Sequence, residues 1–148
     1  MLIEIKANEH SCPHCGASLK IWRHSLSKGL VDTLIDFIKA VKKKGKNSIH
    51  LQEDISLTKN QYNNFQKLHY FGLVAKDDKN PGHWLITRWG GEFLRGERKI
   101  EKFALTFRDE LKGREGELVG ISDYFPDEFN TEYWQKLFDF NIYQGSLI

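Results

Sequence analysis

The chain has 148 residues, 40% hydrophobic and 28% charged, with a net charge of +2. A chain of this length buries roughly 70% of its unfolded surface and holds a core without staples, so it reads as one domain or one domain with a small appendage. The charge is too mild to argue for nucleic-acid binding by itself; any basic face must be local.

No apolar run approaches the length of a membrane span. The opening "MLIEIKANEH" has no signal-peptide apolar core. The only two cysteines stand in a CxxC, which points to a reducing compartment and to metal or redox chemistry rather than a disulfide framework. The expectation is a cytoplasmic protein. Neither an internal repeat nor a low-complexity segment is visible.

Residues 2–6, "LIEIK", alternate as in a short strand. "CPHCG" reads as a tight turn and "SLKIW" as a second strand, giving a hairpin with Cys12 and Cys15 at its tip. A closed zinc site needs four ligands, usually two from each of two knuckles. There is no second CxxC, so the partners of Cys12 and Cys15 would be His24 and His10. That spacing fits no standard finger. Bound zinc therefore stays open beside a metal-free, degenerate zinc ribbon packing through Leu19, Ile21 and Trp22. A redox pair would want a helix N-terminus to lower a thiol pKa, and the residues after Gly16 look strand-like.

Residues 27–44 predict a helix. Ser27 caps it, and Leu30, Val31, Leu34, Ile35, Ile38 and Val41 form one apolar stripe. Lys42, Lys43 and Lys44 suit the negative end of the helix dipole, and Gly45 suits a left-handed cap. With Lys46 they form a basic patch, either a solvated helix end or an auxiliary phosphate contact.

In residues 48–97, Leu51 and Ile55 are spaced as on a short helix, which "SL" breaks. Thr58 caps the next helix, 58–71, with Phe65, Leu68 and Phe71 turned inward and Gly72 closing it. "LVAK" and "HWLIT" read as strands around the breaker-rich turn "DDKNPG", and Thr87 caps a short helix, "RWGGEFLRG". After residue 98, "KFALTFRDEL" and "GELVGIS" pair as a hairpin across a glycine-containing loop. "TEYWQKLFDF" reads as a terminal helix capped by Thr131, with Tyr133, Trp134, Leu137 and Phe138 on its apolar face.

The order helix, short helix, turn, helix, hairpin is that of a winged helix-turn-helix. "LTKNQYNNFQKLHYFGLV" (57–74) and "GHWLITRWGGEFLRG" (82–96) resemble the recognition helix and wing of the MarR-class winged-helix repressors and their phage relatives. The likeness covers about residues 28–97. A "CPHCG" start joined to such a domain is similar to small phage and prophage proteins. The expected fold is α+β: a CxxC hairpin at 1–26, a winged helix at 27–97 and a β-hairpin-plus-helix extension at 98–148.

The resemblance implies sequence-specific binding of double-stranded DNA by a small phage-type transcriptional regulator. The helix at 58–71 would enter the major groove. Thr58, Lys59, Asn60, Tyr62, Asn63, Gln66 and Lys67 are the candidate contacts there, since Asn and Gln suit adenine edges and Lys suits phosphates. Lys76, Lys79 and His83 are the candidate wing contacts, with Asp77 and Asp78 opposing them. Those acids and the mild net charge keep a second reading open: a phage-type module that inhibits a host defence or transcription complex. A homodimer through the aromatic C-terminal helix would match two-fold DNA sites. The four tryptophans read as core or interface anchors. No phosphate loop, HExxH or GxSxG occurs, and the acidic pairs in "RDEL" and "PDEF" read as solvated turns, so no enzyme is expected.

Overall fold

A computed structural model describes residues 10–11, 18–19, 21–128 and 134, the first four through their backbone. The architecture is α+β, with antiparallel sheets throughout. Among the described residues no helix is long and apolar enough to cross a membrane.

The centre is α1 (Lys28–Lys44). The Ser27 hydroxyl accepts the Leu30 N–H, and Gly45, at φ 67°, sends its N–H back to Val41 O. The stripe expected from the spacing is buried, and Phe37 and Ala40 join it.

Strand β4 (Ile49–His50) follows where the spacing of Leu51 and Ile55 suggests a short helix. Only one helical turn forms there, closed by Asp54 N–H to His50 O at 2.9 Å. Three local side-chain bonds hold the turn. The His50 ring nitrogen Nδ1 accepts the N–H groups of Gln52 and Glu53, and Asp54 accepts the His50 N–H.

The helix expected over 58–71 is two short ones, α2 (Lys59–Asn64) and α3 (Lys67–Tyr70). The chain does not unwind between them; it tightens. Phe65 N–H bonds Tyr62 O, and Leu68 and His69 bond carbonyls three residues back. Gln66 has the φ −61°, ψ −19° of a 3₁₀ turn. The tightening seats Phe65 against the rings of Phe37 and Trp84, at 5.4 and 5.2 Å. Phe65, Leu68 and Phe71 are all fully buried. Gly72, at φ 79°, then ends the helix in a Schellman motif, with Gly72 N–H to His69 O and Leu73 N–H to Leu68 O.

β5 (Val74–Lys76) and β6 (His83–Ile86) form the expected hairpin, and β4 adds to it in the order β4-β6-β5. Thr87 caps α4 (Arg88–Leu94). Gly90 is required by a close approach: a Cβ there would sit 2.3 Å from Leu73 O.

β7 (Ile100–Phe107) and β8 (Glu110–Val119) form the long C-terminal hairpin. Its turn is not the glycine-containing segment but Arg108–Asp109, both at positive φ, as a two-residue primed turn requires. Gly113 and Gly116 lie within β8 instead, and the register shifts near each of them. β3 (Trp22–Ser25) pairs with β7 in a sheet ordered β3-β7-β8. So Trp22 lies in this sheet rather than in the N-terminal hairpin, and it is 50% exposed instead of packing inward. The N-terminal hairpin itself is β1 (His10–Ser11) with β2 (Ser18–Leu19). The strand expected at 2–6 lies outside the described residues.

The segments read from sequence as 1–26, 27–97 and 98–148 share one core, running from Leu26 through α1 to Ile100, Val119 and Trp134. Leu26 N–H donates to Lys102 O. After α5 (Ile121–Tyr124), the Tyr124 hydroxyl donates to Leu26 O, and burial pushes its pKa up to about 12. Trp134 is buried and donates its indole N–H to Leu94 O, so it anchors to its own chain. Thr131, Tyr133, Leu137 and Phe138 lie outside the described residues.

Candidate nucleic-acid interface

Four buried side chains, Phe65, Leu68, Tyr70 and Phe71, fix the inner side of residues 58–71, which leaves the polar side outward. Lys59, Asn60, Tyr62, Asn63 and Gln66 are exposed, and Lys67 is half-buried. The described residues leave this face uncovered.

The N-terminus of α2 is held rigidly. Thr58 Oγ1 accepts the Gln61 N–H, while Gln61 Oε1 accepts the Thr58 N–H, a reciprocal capping box. The Thr58 side chain is therefore a positioning group rather than a free contact. Gln61 also donates its amide to Asp36 on α1 at 3.0 Å, tying the helix to the core. Gln61 was missing from the sequence-derived set, although "TKNQ" carries the capping-box spacing. Asn60 accepts from the Asn64 amide through both its Oδ1 and its backbone carbonyl. The hydroxyl of Tyr62, 42% exposed, accepts a long bond from Gln52.

The β5–β6 hairpin packs against α3, where His69 Nδ1 lies 3.1 Å from Val74 O and the His69 ring 6.1 Å from that of Trp84. Lys76 and Lys79 are exposed and His83 is half-buried, with its Nδ1 3.1 Å from Pro81 O. The turn's two acids differ. Asp77 is a tether: it accepts from the Ser48 hydroxyl at 2.6 Å, the Asn80 amide at 2.9 Å and the Lys79 N–H at 3.1 Å. The Asn80 and Ser48 bonds hold its carboxyl below the usual carboxylate range. Asp78 is exposed.

His50 and His83 pair across β4 and β6, with ring centroids 5.0 Å apart. Asp54 accepts the His50 N–H and pairs with Lys46 at 2.9 Å, and these bonds lower its pKa in that order.

Of the four candidate zinc ligands, Cys12, Cys15 and the His10 side chain lie outside the described residues. His24 is in β3, half-buried, with Nε2 2.9 Å from Thr106 Oγ1 and its ring stacked on Tyr70. Burial, reinforced by the Lys67 charge, lowers its pKa. Among the described residues no cluster of three or more His, Cys, Asp or Glu side chains is placed to hold a metal.

Comparison with known proteins adds no relative: no family model, curated protein or solved structure matches the chain.

Proposed function

We propose that the chain is a winged helix-turn-helix protein that binds double-stranded DNA sequence-specifically, as a small phage-type transcriptional regulator. In this reading residues 58–71 enter the major groove and the β5–β6 hairpin is the wing. The observation that carries it is the division of labour within one segment. Phe65, Leu68 and Phe71 are buried at and beyond the end of α2, while Lys59, Asn60 and Asn63 on α2, and Gln66 just after it, face solvent. Amide side chains read base edges and the lysine holds phosphate.

Asp77 and Asp78 favour a protein partner instead. The three bonds to Asp77, all from uncharged donors, give it a role inside the hairpin turn but leave its charge in place, so both acids have to face away from phosphate when the wing meets a duplex. The test is equilibrium binding to duplex DNA across salt concentrations. Wild type should lose affinity steeply as salt rises. Replacing Asn60 and Asn63 with alanine should erase the difference between preferred and random duplexes while keeping salt-dependent binding. Salt-independent or absent binding by wild type rejects the reading.

A further inference from the structure

An open cleft of about 980 Å³ lies between the outer face of α1 and residues 51–59, alongside α2. Lys39, Lys43 and Lys44 of α1 form one wall, and Lys59 and Tyr62 of α2 close the other side. Of the carboxylates at its margin, Asp54 is neutralised by Lys46, and Asp36 is turned to the Gln61 amide. Glu53 is the third. All four lysines are exposed, and none of them has a carboxylate within ion-pair distance among the described residues. Lys46, counted with the basic patch from sequence, is spent on Asp54; Lys39, outside that run, belongs to the patch.

The four lysines outnumber the three carboxylates of the cleft, and Asp54 is already paired with Lys46, so the lining is net positive and an anion is the fitting occupant. The spacing selects a polyanion. Lys39 and Lys43 stand one turn apart, about 6 Å along the helix, close to the axial span of two nucleotides in one DNA strand, about 7 Å. Lys59 belongs both to the lining of this cleft and to the candidate base-reading helix, so cleft and helix form one continuous surface.

We infer that the cleft seats the sugar-phosphate backbone of the duplex flanking the site read by α2, with Lys39, Lys43 and Lys44 each neutralising a phosphate. The inference rests on the duplex-binding reading and extends its footprint onto α1. These contacts add affinity without adding sequence preference.

The experiment measures affinity against salt for wild type, for the triple variant Lys39→Gln, Lys43→Gln, Lys44→Gln, and for Lys112→Gln, whose lysine pairs with Glu110 on β8. Circular dichroism checks that each folds. The triple variant should lower the slope of log affinity against log salt by about 2.7, since each phosphate contact contributes about 0.9. Between 50 and 200 mM salt it should therefore lose about 40-fold less affinity than wild type. Its ranking of duplex sequences should not change, and Lys112→Gln should match wild type. An unchanged slope in the triple variant overturns the inference and leaves the duplex-binding reading standing. No salt-dependent binding by wild type overturns both and turns the lysine cleft over to an acidic protein surface.

Discussion

Thr87 joins the end of the proposed reading helix to the rest of the protein. It is 1% exposed. Its hydroxyl donates to Gly72 O, the carbonyl of the residue that ends α3, and accepts the Gly90 N–H at 3.0 Å. Thr87→Val keeps the shape and removes both bonds. Each buried partner left unsatisfied costs about 1–3 kcal/mol, so the variant should lose roughly 2–6 kcal/mol. For a chain of this size that is a fall in Tm of about 4–24 °C. Thr87→Ser keeps the oxygen and loses one methyl group, and should cost about 1 kcal/mol. Urea unfolding with an unchanged m-value would assign the loss to the native state. If Thr87→Val is as stable as wild type, or Thr87→Ser is the worse of the two, the hydroxyl does not hold this joint.

Asp77→Ala should loosen the β5–β6 turn rather than relieve repulsion from phosphate: hydrogen exchange at Lys79 and Asn80 should speed up, and duplex affinity should not rise. A clear gain in affinity would mean that its charge matters more than its bonds. His24 titrates below its ordinary value because it is buried. Its contribution is thus fully present above the unfolded value of about 6.5 and is lost as pH falls below that. His24→Gln should therefore show a smaller drop in Tm between pH 7.5 and 5 than wild type; an equal drop removes His24 from the acid response.

What could be read from the sequence was local. Ser27, Thr58 and Thr87 each cap the helix expected of them, because a cap bond spans only three residues. Gly45 and Gly72 end helices for the same local reason. The two-residue β4 was hidden because its identity depends on pairing with Trp84 and His83. Arg108–Asp109 turns the long hairpin without the asparagine or glycine that usually marks such a turn. The partnership of β3 with β7 joins segments about 80 residues apart, which no local pattern encodes.

The candidate interface divided along the same line. The exposed side of 58–71 follows from helical spacing, whereas the commitments of Thr58, Asp77 and Lys46 depend on particular neighbours. The lysine cleft needed the course of residues 51–57 before Lys39, Lys43, Lys44 and Lys59 could be seen to line one cleft.

The central claim is that the outward side of residues 58–71 reads duplex sequence. Selection of bound molecules from a random duplex pool tests it most directly. Wild type should enrich one motif, and the enrichment should vanish when Asn60 and Asn63 are both replaced by alanine. A pool that stays random after repeated rounds with folded wild-type protein would contradict it.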